Sequence, residues 1–122
     1  MSVIRVDNFG PSAGGTTYSA RGIAKAWVNF NGTGTVAVRD SENVSSLTDQ
    51  GVGNYDVNFN SAMANANWSL AGATAPVTND WFDFYMDGPL NTSAKARLNC
   101  TKPGYASFDA GYMHTVFHGD LA

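Results

Sequence analysis

Two histidines, His114 and His118, stand four apart, the spacing at which imidazoles on a helix grip one zinc ion. They lie in a run with strand character. On a strand they share a face but stand about 13 Å apart at ~3.3 Å per residue, too far to hold the same ion. A threefold oligomer could gather three copies of one histidine at its axis, but a pair of surface histidines is the simpler reading. Asp80, Asp83 and Asp87 offer the hard oxygen ligands that calcium takes. Their spacing matches no calcium loop, and turn residues and solvated carboxylates account for them. A hydrolytic carboxylate pair would have to be drawn from one glutamate, Glu42, and nine aspartates, with no motif to mark it. Serines abound without a GxSxG elbow, and neither a phosphate loop nor a Cys-His signature is present. The expectation is a protein that is not an enzyme and that carries no cofactor or metal.

Aromatic side chains off the core-facing positions are the better candidates for contact with a partner. Trp27, Trp81 and Tyr85 point opposite to the predicted core residues, Asp83 lies between the last two on the same face, and Tyr105 follows the Pro103-Gly104 turn. Rings stack on sugar faces and also anchor protein interfaces. For Trp27 a packed second layer is favoured, whereas a turn presents Tyr105 to solvent. Met113 and Phe117 extend the apolar second face into the last strand. A monomer would leave this set exposed, which predicts a homotrimer that covers it by symmetry.

The elements that position these residues are short strands. In Ala24–Phe30, Ala24, Ala26, Val28 and Phe30 alternate with Lys25, Trp27 and Asn29, the period-2 pattern of a half-buried strand. A helix through Ala20, Ile23, Ala24, Trp27 and Val28 would be stopped almost at once by Asn29, Asn31 and Gly32. Asn31–Gly34 reads as a hairpin turn and Thr35–Val38 as the returning strand. Val44–Thr48 and Asn54–Asn60 form a second hairpin, with Tyr55, Val57 and Phe59 on one face and Asn54, Asp56, Asn58 and Asn60 on the other, wet face. Ser61–Asn67 is a small-residue connector, Trp68–Leu70 begins a strand, and Pro76–Asp80 turns the chain. Trp81–Met86 is the most aromatic strand, with Phe82, Phe84 and Met86 directed to the core. Ala94–Cys100 sets Ala94, Ala96, Leu98 and Cys100 against Lys95, Arg97 and Asn99, and Phe108–Phe117 closes the chain. The fold class is all-β, a compact antiparallel sandwich with meander, Greek-key or jelly-roll-like connections. No internal repeat is visible.

A chain of 122 residues forms one domain with a core that needs no disulfide. Residues 1–20, rich in Gly, Ser and Thr, read as a flexible arm, and 21–122 as the single domain. Only 14% of residues are charged and the net charge is −3, so solubility rests on neutral polar groups and no basic stripe exists for nucleic acid. Cys100 is the lone cysteine, most simply a small buried apolar group. Neither a secretory leader nor an apolar run long enough to cross a bilayer is present, which predicts assembly in a cytoplasm. The five sequons, at Asn31, Asn43, Asn67, Asn91 and Asn99, are what chance yields in such a composition.

The stretch Ala24–Phe59, AKAWVNFNGTGTVAVRDSENVSSLTDQGVGNYDVNF, carries a specific wording. The order AKAWVNF, GTGTVA, RDS, NVSS, TD, YDVNF closely resembles a module near the ends of bacteriophage tail-fibre and other virion appendage proteins. The likeness covers about a third of the chain, to about Met63, and is loose beyond. The resemblance implies a non-enzymatic, homotrimeric virion component of a tail fibre or fibre tip, acting in attachment to a host-surface glycan or protein and touching other virion proteins. Such modules usually end much longer chains, so this one is expected to be a small separate protein or an excised domain. The alternatives are a capsid decoration or head-tail accessory protein and a free carbohydrate-binding module. The specificity of this copy is expected outside the motif, in Trp81–Asp87, Lys102–Tyr105 and the last strand.

Overall fold

The protein is described here by a computed structural model covering residues 2–10, 13–75, 83–86, 88–104 and 106–122. Trp81, Tyr105, Asp80, Asp87 and the expected turn at Pro76–Asp80 lie outside the described residues. The described residues form eleven strands: β1 (Asn8–Phe9), β2 (Tyr18–Ser19), β3 (Ala26–Asn31), β4 (Ala37–Glu42), β5 (Val44–Asp49), β6 (Asn54–Phe59), β7 (Ser69–Ala75), β8 (Asp83–Met86), β9 (Lys95–Lys102), β10 (Ala106–Ser107) and β11 (Tyr112–His118). Two single-turn 3-10 helices, Ala20–Gly22 and Gly88–Leu90, complete the described elements. One sheet runs β4-β3-β11-β7, and the other runs β10-β9-β6-β5 with β8 also on β9. All the pairings are antiparallel, and the sheets pack face to face as a sandwich, the expected fold class. In the N-terminal arm, β1 and β2 pair as a small separate hairpin.

Both hairpins of the motif form, but in different sheets: β3 pairs with β4, and β5 pairs with β6. The switch between sheets takes one residue, Asn43, at φ 54°. Asn and Asp tolerate this left-handed conformation better than other non-glycine residues. The Asn43 side chain also ties the corner down. Its Nδ2 donates to the Lys25 carbonyl at 3.0 Å and the Ser61 carbonyl at 3.1 Å, and its Oδ1 accepts from the Ser61 N–H at 2.7 Å. The returning strand of the first hairpin lies later than the expected Thr35–Val38, at Ala37–Glu42, because residues 32–36 form the connection.

The core takes alternate residues from the central strands: Ala26, Val28 and Phe30 from β3, Tyr55, Val57 and Phe59 from β6, and Ala96, Leu98 and Cys100 from β9. Each fully buried large side chain contributes roughly 1.5–3 kcal/mol. Between the sheets Phe59, Trp68 and Phe117 meet edge to face, with ring centroids 5.1 to 5.8 Å apart. Met113 and Phe117 were expected on the apolar second face; both are fully buried in the core instead. The reason is the position of β11, which lies between β3 and β7 and turns Met113, Thr115 and Phe117 inward. Of the expected last strand, Phe108–Phe117, only the part from Tyr112 onward is strand, as β11.

At the end of the sandwich near Gly32, Tyr55 is sealed in. Its hydroxyl lies 3.0 Å from the Gly32 carbonyl and 2.9 Å from Asp109 Oδ1, which also accepts the Gly53 N–H at 2.7 Å. Burial first, and the adjacent Asp109 carboxylate second, hold the phenol protonated far above its ordinary range. Glycine is required at position 32, because a Cβ there would meet the Tyr55 hydroxyl at 2.5 Å.

Candidate functional site

The outer surfaces of the two sheets carry different chemistry. On the five-stranded sheet, the register of β8, β9 and β6 aligns polar side chains in rows. Residues directly opposite in an antiparallel pair share a face, so Tyr85, Asn99 and Asn54 form one row. Asp83 and Thr101 form the row on one side of it. Arg97 and Asp56 form the row on the other, followed by Lys95 and Asn58.

Asp56 was expected to be wet, yet it is only 2% exposed. Its Oδ1 accepts from Arg97 Nε; its Oδ2 accepts from Lys95 Nζ at 2.8 Å, Gln50 Nε2 at 3.1 Å and Arg97 Nη2 at 3.2 Å. Burial alone would raise its pKa, but the hydrogen bonds and charges of Arg97 and Lys95 outweigh that and hold the carboxyl below its ordinary value. A carboxylate with both oxygens engaged is a poor proton acceptor near neutrality. It serves to order Arg97 and Lys95 on the face. Asn58 is ordered in the same way, its Nδ2 donating to Ser46 Oγ at 3.1 Å and Thr48 Oγ1 at 3.0 Å.

One feature of this face is left for a ligand or partner. Tyr85 is 52% exposed, with its ring on the rim of the row. Beside it Asn99 is 7% exposed, and its Nδ2 is buried out of a surface ligand's reach, without a hydrogen-bond partner among the described residues. Planar amide, guanidinium and carboxylate groups beside an exposed ring are the groups with which proteins hold sugars, the ring covering C–H faces and the planar groups taking hydroxyls.

The four-stranded sheet presents a more apolar surface. Trp27, half-buried, borders a shallow groove whose walls include Ala71, Ala73, His114 and Val116. At its margin Arg39 lies 4.3 Å over the Tyr112 ring, and the rings of Tyr112 and His114 are parallel with centroids 6.3 Å apart. His114 and His118 both face outward on β11. Among the described residues no three of His, Cys, Asp and Glu gather as metal ligands do.

The seven expected contact residues therefore do not make one patch. Asp83 and Tyr85 share the polar face, Trp27 lies on the opposite sheet, Met113 and Phe117 are core, and Trp81 and Tyr105 lie outside the described residues. The apolar surface that predicted a trimer is divided accordingly. Reasoning from sequence missed Asp56, Arg97 and Asn99 as one cluster. Opposite charges at alternate positions of two strands were the available signal, but which strands pair was not visible. Comparison of the chain with protein families, curated proteins and solved structures finds no match.

Proposed function

We propose that this protein is a non-enzymatic phage virion module, from a tail fibre or fibre tip, that contributes to attachment by laying the outer face of its five-stranded sheet on a host-surface glycan. The virion setting rests on the likeness of Ala24–Phe59 to appendage modules. The glycan reading rests on one observation, the exposed Tyr85 ring aligned with the polar row of Asn99 and Asn54. A pyranose suits such a surface, since it offers an apolar face to the ring and hydroxyls to the polar side chains of the rows beside it.

A second reading, a capsid decoration or head-tail accessory protein, draws on the opposite sheet, where Trp27, Val116 and the 42% exposed Tyr112 suit a protein partner. Incubating the purified protein with bacterial surface polysaccharides and, separately, with assembled capsids distinguishes the two. Attachment requires saturable binding to polysaccharide. Binding to capsids alone would replace it with the decoration reading.

A further inference from the structure

We propose that Asn31-Gly32 is a self-modification site that the fold holds closed, so that loss of the Asn31 side-chain amide marks chains that have unfolded. It is the one Asn-Gly pair in the sequence. Asn before Gly suits this chemistry because a residue without Cβ leaves its backbone nitrogen open to the preceding side chain. The Gly32 nitrogen attacks Cγ of Asn31, the new N–Cγ bond closes a five-membered imide, and the Cγ–Nδ2 bond breaks. Nδ2 leaves as ammonia with the proton that Gly32 gives up. Water then opens the imide at Cγ, giving aspartate, or at the main-chain carbonyl of residue 31, giving isoaspartate with the chain rerouted through the side chain. No reagent but water is consumed.

The groups that this reaction must move are held in place. Asn31 is the last residue of β3, and an extended backbone twists the Gly32 nitrogen out of the plane that the ring needs. The Asn31 amide is clamped onto Thr33: its Nδ2 donates to the Thr33 carbonyl at 2.8 Å, and its Oδ1 accepts from Thr33 Oγ1 at 2.7 Å and from the Thr33 N–H at 3.3 Å. The attacking nitrogen is engaged as well, because the Gly32 N–H donates to the carbonyl of the fully buried Ala110 at 2.9 Å. On its other side the Gly32 carbonyl takes the Tyr55 hydroxyl at 3.0 Å. The ring can therefore close only after this end of the sandwich opens.

Reclosing after the reaction is obstructed. Isoaspartate lengthens the main chain by one atom between β3 and Gly32. Gly32 has no room to absorb it, since even a Cβ there would meet the Tyr55 hydroxyl at 2.5 Å and the Ala110 carbonyl at 2.8 Å. Its N–H and its C=O are both tied to partners set by the core, so the lengthened chain must surrender the Ala110 bond or the Tyr55 bond. A reversible opening is thereby made permanent.

Peptide mass spectrometry on the full chain tests the site, with one sample folded in mildly alkaline buffer and another unfolded in urea at the same pH and temperature. The folded chain should lose the Asn31 amide about tenfold or more slowly than the unfolded one. Thr33→Val removes the hydroxyl that Oδ1 accepts and keeps the backbone bonds. With its folded circular dichroism spectrum retained, this variant should react faster than the wild type in buffer and at the same rate in urea. When urea is removed from an aged wild-type sample, isoaspartate at position 31 should be concentrated in the fraction that fails to refold on gel filtration. Equal rates for the folded and unfolded wild type overturn the proposal, and so does a folded rate indifferent to Thr33→Val. Isoaspartate spread evenly between refolded and unfolded fractions overturns the obstruction at Gly32.

Discussion

Replacing Asp56 by Asn keeps the shape of the side chain and removes the charge that orders Lys95 and Arg97. The carboxylate is 3% exposed, the Arg97 side chain 16% and the Lys95 side chain 34%. Hydrogen bonds to charged groups contribute about 1.5–3 kcal/mol each, and breaking a buried pair costs more because the remaining charge is stranded. Lys95 can turn to water, so its share is small. The expected loss at pH 7 is about 2–3 kcal/mol, carried mostly by Arg97. With a urea slope of about 1–3 kcal/mol/M, the unfolding midpoint should fall by roughly 0.7–3 M. The sign of the pH dependence follows from the lowered pKa of Asp56 in the folded state. Its stabilisation is complete above the unfolded carboxyl value of about 4 and fades as pH falls through the lower folded value. Urea titrations of both proteins from pH 7 to pH 2.5 should therefore show the gap closing below about pH 4. A gap that stays constant over that range, or no gap at pH 7, would refute the assignment of Asp56 as the ordering charge of this face.

Three further outcomes follow from the packing. Phe117→Ala should destabilise by about 3–5 kcal/mol in urea unfolding, because it empties the centre of the Phe59, Trp68 and Phe117 cluster; a loss under about 0.5 kcal/mol would place Phe117 on the surface after all. Asn43→Ala should cost about 2–3 kcal/mol by the same measurement, from lost hydrogen bonds and a left-handed backbone, and Asn43→Gly should cost less. Burial, and after it the Asp109 carboxylate, push the Cys100 thiol up to about 11, so an aromatic disulfide reagent at pH 8 should label it only as the protein unfolds. Rapid labelling of the native protein would contradict that burial.

What the sequence made legible was the local pattern. Side chains alternate along a strand whatever it pairs with, so Val28, Tyr55, Val57 and Leu98 were placed correctly from spacing alone. Met113–Phe117 was not, because Met-His-Thr-Val-Phe puts a polar residue on each parity. Burial there is decided by β3 and β7 on either side, by Phe59 across the sandwich and by Trp68 just before β7. Asp56 was hidden for a related reason. Its partners Lys95 and Arg97 lie about forty residues later in the chain, and only the register of β6 with β9 brings them to it. Asn43 looks like an ordinary polar residue between two strands, and only the change of sheet shows why an asparagine stands there. The fold was thus readable from period and turns, while the polar face depends on long-range pairing that period does not encode.

Attachment through the outer face of the five-stranded sheet is tested most directly by measuring binding to a panel of bacterial surface polysaccharides for the wild type and for Tyr85→Ala. Tyr85 is exposed, so the variant should unfold within about 0.5 kcal/mol of the wild type. The expected result is saturable binding of the wild type to at least one polysaccharide, weakened about tenfold or more in the variant through loss of ring stacking. Equal binding by both proteins would contradict the account, and so would binding abolished by Trp27→Ala on the opposite sheet while Tyr85→Ala leaves it intact.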